Sequence, residues 1–498
     1  MMRPRIAFTA LLAAALAACS QQPPRRTIPV AAPLRIDNVT IVDPIDGSER
    51  PAMSIVMDKG RIIGVLPTRD VSQGEPIASI DGANLFAVPG YNNMHSHALV
   101  AKRPELLLAT MLAEGVTGFR QMSGTPALLK QRDDNRLPID SYAPDLLAMP
   151  GDLLFPFNAG SASEARAEVD RQQRQHADFI KLILVSRPAF FAAVAEARRL
   201  GMPIAGHLPP DVSPLEASRA GFSSIEHFGT GNPFWIECSS NADALRRVDT
   251  HEQAVPWWIM RIPVIGGVMM KQVERQLINP TVNDSPATVA LRQRALDSYD
   301  AGRCRALAEA FKANRTWQVP TLVRLRTQEM ADLPDYRTDP SRANMSDQVR
   351  QTWDESAAKF HAIPATMRAT FRQTYQRRLT VIAVWDAAGV PMMTGTDGKG
   401  DVPGQALQQE FGELAKAGLS PLRILQMTTI DPARFLNRSS NMGRIAPGMA
   451  ADVVLLTANP LARLSNLGTI SAVIHRGRYL SHDQLDRRVR DLRNRSTQ

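Results

Sequence analysis

The sequence predicts an α/β protein, a (β/α)8 TIM-like barrel with a small β-sandwich built from both chain ends. Apolar strand-like runs alternate with helical runs through the middle of the 498-residue chain, as they do in a parallel barrel. Alternating β segments occur near both ends, and neither is large enough to bury a core alone. The chain is also longer than one hydrophobic core usually serves, which favours two units.

The first residues predict an export signal that is not part of the fold. Arg3 and Arg5 precede an apolar run over residues 6–18, which is too short to span a bilayer. The small residues before Cys19 resemble a bacterial lipobox, in which the cysteine is acylated; a plain signal peptide with an incidental cysteine is the alternative. The resemblance implies a lipid anchor at Cys19 on the periplasmic side of the cell envelope, and Ser20 favours the outer membrane.

We expect the rest of the chain to be divided into a tether, a barrel and two parts of one β unit. The predicted segments are a signal peptide at 1–18, a tether at 19–33, the N-terminal part of the β-sandwich at 34–88, the barrel at 89–440, the C-terminal part of the β-sandwich at 441–485 and a basic tail at 486–498. Two long helical insertions, at about 231–310 and 327–378, interrupt the barrel. Such insertions commonly form lids or substrate pockets, and a packing or dimer element is the alternative.

Composition excludes some partners and leaves other questions open. The formal net charge is +9, partly because arginines crowd the C-terminal tail, which could contact anionic lipid or form a solvated helix end. The basic residues are not interleaved with aromatic ones, so we do not expect nucleic acid as a partner.

Once Cys19 is set aside, Cys238 and Cys304 remain, and they could form a disulfide or be buried thiols.

Residues of the kinds that bind metals accompany successive predicted barrel strands. In an extended strand His95 and His97 point to the same face, and neutral imidazole is a ready ligand for zinc-class cations. One histidine at a strand end is usually structural, but four histidines in register with barrel strands favour a metal site at the end of the barrel that carries active sites. The full set is His95, His97, Lys181, His207, His227 and Asp397.

Several short motifs resemble the amidohydrolase superfamily, and within it the imidazolonepropionase-like members that include metal-dependent Xaa-Pro and Xaa-Arg dipeptidases. The similarity extends in order over residues 34–480, apart from the two insertions, and it is specific for the superfamily rather than for a substrate. The motifs are Val88-Pro89-Gly90 before His95-Ser96-His97, Gly115-Val116-Thr117, Asp178-Phe179-Ile180-Lys181, Ala205-Gly206-His207, Ser224-Ile225-Glu226-His227, Thr394-Gly395-Thr396-Asp397 and Gly443 to Val454.

The resemblance implies a ligand set of one or two divalent metal ions, with zinc as the expected metal. His95, His97 and Asp397 would hold the first ion. His207 and His227 would hold the second. Lys181 would be a carboxylated lysine that bridges both ions, because a carbamate supplies anionic oxygens where an ammonium would repel cations. An unmodified lysine beside the site is the alternative.

The resemblance also implies hydrolysis of a C–N bond in an amide, a cyclic amide or a dipeptide. A divalent ion lowers the pKa of its bound water towards about 7. Asp397 would then take a proton from that water and deliver it to the leaving amine. Arg120 could bind a substrate carboxylate or brace the first strands, and Tyr142 and Arg324 are further substrate-binding candidates. His207 is followed by Leu208-Pro209-Pro210, without the acidic residue that would match the pattern of the deaminase members, which argues against a nucleobase deaminase.

Two other functions fit the same residues. Water activated by metal could cleave esters, lactones or phosphoesters, because it does not distinguish between classes of electrophile. The chain could instead be a binding lipoprotein that has lost catalysis. The complete set of ligand positions argues against this second alternative.

Overall fold

The structure is a computed structural model of the chain. This structure describes residues 25–71, 77–248, 279–339, 342–343, 345–398 and 406–495. The predicted signal peptide, Cys19 and the first residues of the tether therefore lie outside the described residues. In the part that is described, no helix is both long enough and apolar enough to cross a membrane.

Strands and helices alternate through the middle of the chain, and strands predominate near both ends. The strands are β1 Leu34–Val42, β2 Glu49–Asp58, β3 Arg61–Pro67, β4 Ala78–Asp81, β5 Phe86–Pro89, β6 Tyr91–Ser96, β7 Val116–Gln121, β8 Asp145–Ala148, β9 Ile180–Leu182, β10 Ile204–Gly206, β11 Ser224–Glu226, β12 Trp317–Val319, β13 Val453–Leu456, β14 Ile470–His475 and β15 Arg478–Ser481. The α-helices are α1 Pro104–Ala113, α2 Pro126–Asp133, α3 Ala162–Arg174, α4 Arg187–Arg199, α5 Pro214–Ala220, α6 Pro233–Glu237, α7 Ala242–Arg246, α8 Pro286–Asp297, α9 Ala301–Ala313, α10 Leu322–Glu329, α11 Asp347–Ala362, α12 Ala365–Ala388, α13 Leu407–Lys416, α14 Pro421–Thr428, α15 Ile430–Phe435 and α16 His482–Asn494.

One eight-stranded sheet contains strands from both chain ends. Its order is β15-β14-β13-β5-β1-β2-β3, with β4 beside β1. Val88 of β5 pairs with Val454 of β13 in an antiparallel ladder, and both side chains face the main core. Their neighbours Ala87 and Leu455 face the other side, where they join a separate small core, because side chains alternate along a strand. The two ends thus share one sheet, but the sheets of the described residues do not show the two facing layers of the predicted β-sandwich.

The middle of the chain forms two parallel sheets. One contains β6, β7 and β8, and the other contains β9 to β12 in sequence order. This confirms a mixed α/β fold, but the ladders do not form the single closed sheet of the predicted barrel. Isolated parallel bridges join the two sheets where regular pairing is interrupted. The bridges are Pro150 to Phe179, Leu154 to Leu182, Gln318 to Met392 and Ser96 to Gly398.

Both predicted insertions contain helices. The first includes α6 to α9 in its described part, and residues 249–278 of this predicted insertion lie outside the described residues. Cys238, after α6, forms a disulfide with Cys304 on α9, so the pairing that the sequence left open is present in the structure. The second insertion contains α11 and most of α12. The basic C-terminal segment forms α16, which is anchored by the buried Leu485.

Candidate metal centre

Three imidazoles converge on one carboxylate at the ends of the parallel strands. His95 Nε2 and His97 Nε2 lie 3.1 Å and 3.0 Å from Asp397 Oδ1, and His227 Nε2 lies 3.8 Å from Asp397 Oδ2. His95, His227 and Asp397 each offer a ligand atom within 4.8 Å of the others. We call His95, His97, His227 and Asp397 the metal centre, as the name of a candidate site. These atoms have the types and spacing of a site for a divalent cation.

His207 and Lys181 lie beside the metal centre. The ring of His207 is 5.2 Å from the ring of His227, measured between centroids. Burial, together with the smaller effect of the nearby Lys181, lowers the pKa of His207 to about 3, so His207 is neutral and its nitrogen lone pair is available to a metal. The structure therefore brings all six predicted ligand residues into one region.

Lys181 is enclosed within β9. Its side chain is 1% exposed, and Nζ has no hydrogen-bond partner among the described residues. Burial lowers the pKa of Lys181 to about 8, although Glu226 and Asp397 oppose that change. A buried polar atom without a partner is costly, so this nitrogen fits a position that a ligand or a covalent modification would complete.

Each imidazole of the metal centre is oriented through its other nitrogen. His95 Nδ1 lies 2.7 Å from Glu226 Oε2, and His227 Nδ1 lies 2.5 Å from the Oγ1 of Thr321. A carboxylate only accepts, so His95 donates from Nδ1, which leaves the Nε2 lone pair directed at the centre. His95 Nε2 is buried and makes no hydrogen bond to a described residue. This donor set fits a metal ion.

His97 is held in the same way from a neighbouring strand. Its Nδ1 lies 2.7 Å from the Oγ of Ser123, which follows β7. Gln121, the last residue of β7, donates to the carbonyl oxygen of Ser123 at 2.9 Å and thereby fixes the segment. The sequence analysis missed the partners Ser123, Glu226 and Thr321. Only Glu226 gave a signal, since it is a charged residue within an apolar strand.

Glu226 is itself fixed by two side chains. Arg120 donates from Nη2 to Glu226 Oε1 at 2.8 Å, and Ser224 donates to the same oxygen at 2.7 Å. Burial opposes ionisation of Glu226, but Arg120 and His95 outweigh burial and hold the pKa of this carboxyl well below its usual range. Arg120 also donates from Nε to the carbonyl oxygen of Met94 at 2.7 Å. The guanidinium thus contacts the protein's own strands.

The other two substrate-binding candidates lie in different places. Arg324, in the first turn of α10, is buried and has its Nε 3.3 Å from Asp397 Oδ2, so it belongs to the surroundings of the metal centre. Tyr142 packs in a small hydrophobic cluster under the guanidinium groups of Arg478 and Arg488. The structure therefore brings Arg324, and not Tyr142, together with the histidines.

Burial opposes ionisation of Asp397, but the imidazoles of His227 and His95 hold its pKa well below the usual range.

The backbone around this carboxylate is tightly constrained. Asp397 has a φ of 55°, in the left-handed region, and its N–H donates to the carbonyl oxygen of His95 at 2.8 Å. A Cβ on Gly395 would lie 2.7 Å from the Cβ of His95, so only glycine permits this close approach.

A second acidic group lies at the opposite ends of the strands. Asp145, Asp452 and His475 also offer ligand atoms within 4.8 Å of one another. Asp145 accepts from the Nε of Arg476 at 2.7 Å, and Asp452 accepts from the backbone N–H of Arg476 at 2.9 Å. A fixed cation is therefore already present among these carboxylates, and the group joins β8 to the terminal sheet.

The fold and the site together describe a class of α/β protein in which imidazoles and a carboxylate lie where parallel strands end. The sequence model of the amidohydrolase family matches residues 368–480. This segment of the chain is therefore similar to the amidohydrolase family. No curated protein sequence matches the chain at a significant level.

Solved structures of amidohydrolase type share the fold over most of the chain. The bottromycin amidohydrolase is 21% identical, with a TM-score of 0.62 over 92% of this chain and 90% of that chain. A Xaa-Pro dipeptidase with bound methionine in the active site is 16% identical, with a TM-score of 0.57 over 90% of this chain and 100% of that chain. The ochratoxinase of A. niger is 14% identical, with a TM-score of 0.59 over 91% and 96%. At these identities the likeness concerns the fold.

Proposed function

We propose that this protein is a metal-dependent hydrolase of amide-type C–N bonds. The observation that carries the proposal is the orientation of His95, His97 and His227, whose Nδ1 atoms are engaged while their Nε2 atoms face Asp397. Histidines whose Nδ1 is hydrogen-bonded to a fixed group while Nε2 is left for a ligand are typical of metal sites. The amidohydrolase family match and the neighbouring amidohydrolase and dipeptidase folds support the same reaction class.

The ligand residues would be divided between two positions. His95, His97 and Asp397 would hold one ion, and His207 and His227 would hold a second, with zinc as the expected metal. Lys181 would join both positions as a carbamate, for which its buried Nζ without a partner is the supporting observation. We also propose that the parallel strands and the bridged segment 390–398 act as one eight-stranded barrel that places these residues.

Asp397 would carry the proton in the reaction. A bound divalent ion supplies a water of lowered pKa and polarises the scissile carbonyl. Asp397 is ionised and can accept the proton of the attacking water, then return it to the leaving amine. Arg324, 3.3 Å from that carboxylate, is placed to contact an anionic group of the substrate. Substrates with a carboxylate, such as dipeptides and N-acyl amino acids, follow from this arrangement.

A hydrolysis panel tests the proposed function. Metal-free and zinc-reconstituted protein would be assayed with dipeptides, N-acyl amino acids, cyclic amides, lactones, aryl esters and phosphoesters. We expect zinc-dependent release of amine from amide substrates. Turnover of esters or lactones alone would favour the second enzymatic function, and no zinc-dependent turnover of any substrate would favour a binding protein.

We also propose that the chain is held by a lipid at Cys19, on the periplasmic side of the envelope. The lipobox-like sequence before Cys19 is the support for this proposal. Labelling cells with a fatty-acid analogue tests it, since the expressed wild-type chain should be labelled and a Cys19→Ala chain should not. A wild-type chain that carries no label would refute the anchor.

A further inference from the structure

The backbone after β11 is in an uncommon conformation at the metal centre. His227 has a φ of 53°, and the next residue, Phe228, has a φ of 61°. Two successive non-glycine residues in the left-handed region are strained, and they persist only where the surroundings hold them. The position of the His227 imidazole therefore depends on what packs against Phe228.

One face of α12 packs against the ring of Phe228. Arg378 and Trp385 are seven residues apart on α12, so they lie on the same face two turns apart. The Trp385 ring is stacked on Phe228 with centroids 4.6 Å apart, and the Arg378 guanidinium lies 4.9 Å from the Phe228 centroid. The same guanidinium is 5.2 Å from the ring of Trp235, so Arg378 lies against two aromatic rings.

Arg378 is fixed in turn by the last residue of α10. Its Nη2 donates to Glu329 Oε1 at 2.9 Å, and both side chains are buried. Thr321, which precedes α10, holds His227 Nδ1 at the other end of this short helix. The His227–Phe228 dipeptide is therefore held through both ends of α10, directly by Thr321 and through Arg378 by Glu329.

We propose that Arg378 is a positioning residue for His227. Paired with Glu329, it holds Phe228 against α12 and so keeps the imidazole of His227 directed at the metal centre. The inference rests on the proposed function only in taking His227 as a metal ligand. That Arg378 holds Phe228 in place is a separate claim, which can be tested on the metal-free protein.

The test replaces both partners of the ion pair. Arg378→Met alone would leave the buried Glu329 uncompensated, whereas Glu329→Gln with Arg378→Met removes both charges together. The control is Glu216→Gln with Arg187→Met, which removes a more exposed pair of the same residue types. Arg187 also lies 4.9 Å from a phenyl ring, that of Phe191, and also pairs with a glutamate, but this pair joins α4 to α5.

Two measurements decide the proposal. Hydrogen exchange by mass spectrometry on metal-free protein should show about tenfold faster exchange in peptides covering 224–232 for the Arg378 double variant, with the other strands and the control variant unchanged. Zinc competition with a chelator should show about 10–100-fold weaker binding in the same variant alone. The single variant Arg378→Lys keeps the charge, so its increase in exchange and its loss of zinc affinity should both be smaller than those of the double variant.

The inference is overturned if the Arg378 double variant exchanges like wild type at 224–232, or if exchange rises equally throughout the protein. Unchanged zinc affinity with faster local exchange would also overturn it, because His227 would then not depend on Phe228 for binding metal. If wild-type protein binds no zinc, the proposed function fails, and the exchange comparison still decides whether Arg378 holds Phe228.

Discussion

The Nδ1 of His95 lies 2.7 Å from the Oε2 of Glu226, and both side chains are fully buried. Glu226 directly precedes His227, so one strand end supplies both a proposed metal ligand and the carboxylate that orients the imidazole of a second proposed ligand, His95. Glu226 is the last residue of β11, and the chain leaves the extended conformation at His227, which has a φ of 53°. The contact joins the first and sixth strands of the proposed barrel beneath the metal centre.

Glu226→Gln should weaken zinc binding by about 10–100-fold, because a neutral amide orients the His95 imidazole less well than a carboxylate does. The measurement is chelator competition at constant pH. The variant also leaves Arg120 buried without its ion-pair partner and should lose stability. Asp431→Asn is the control, since Asp431 is a buried carboxylate that pairs with Arg423. Equal zinc affinity in Glu226→Gln and wild type would refute the role of Glu226.

Asp397→Asn should reduce kcat by about 10²–10⁴-fold or more, because the amide cannot accept the proton of the attacking water. Much of the metal should remain, since the three imidazoles are unchanged. Turnover and bound zinc would be measured on the same preparation. Asp452→Asn, which alters the acidic group at the opposite strand ends, should keep its activity. Full activity in Asp397→Asn would show that another group carries the proton.

Glu410→Gln should change how stability depends on pH. Burial raises the pKa of Glu410 from 4.5 to about 8, while its Oε2 accepts from the backbone N–H of Val323 in α10. Between these two pKa values the unfolded chain has lost the proton that the folded protein keeps, so wild-type stability falls as pH rises. The variant carries no ionisable group there. We expect similar melting temperatures at pH 4.5 and a higher one for the variant at pH 9; equal values at both would contradict the raised pKa.

Removing the Cys238–Cys304 disulfide should lower the free energy of unfolding by about 4 kcal/mol, by the loop-entropy relation for the 66-residue separation of the two cysteines. Urea unfolding of wild type and of the double Cys→Ala variant measures this difference. Thiol titration of the unreduced, denatured protein provides the check on pairing. Two reactive thiols from these cysteines would show that the disulfide is not formed.

The sequence could predict that the polar side chains of the candidate site lie close together, because strand periodicity is local. The alternating pattern of β6 and the residue after it predicts His95 and His97 on one face. Short buried strands contain Lys181 or directly precede His207 and His227. The mixed α/β fold could be predicted for the same reason. The pairing of β5 with β13 also agrees with the expectation that both chain ends form one β unit.

Other features depend on contacts between distant parts of the chain. Glu226 is 131 residues from His95, and nothing local indicates their hydrogen bond. Thr321, which hydrogen-bonds His227, has a φ of 46°, and residue type does not reveal this conformation. The parallel strands divide into two sheets because pairing near residues 150 and 392 is reduced to isolated bridges. Alternating hydrophobicity cannot predict such interruptions.

Metal content tests the central claim most directly. Zinc would be quantified by elemental analysis in wild-type protein, in His95→Ala and in His227→Ala, each after removal of metal and reconstitution under identical conditions. We predict at least one zinc ion per wild-type chain and loss of tightly bound zinc in both variants. Less than one ion per wild-type chain, or equal binding in all three proteins, would contradict a metal centre built from His95, His97, His227 and Asp397.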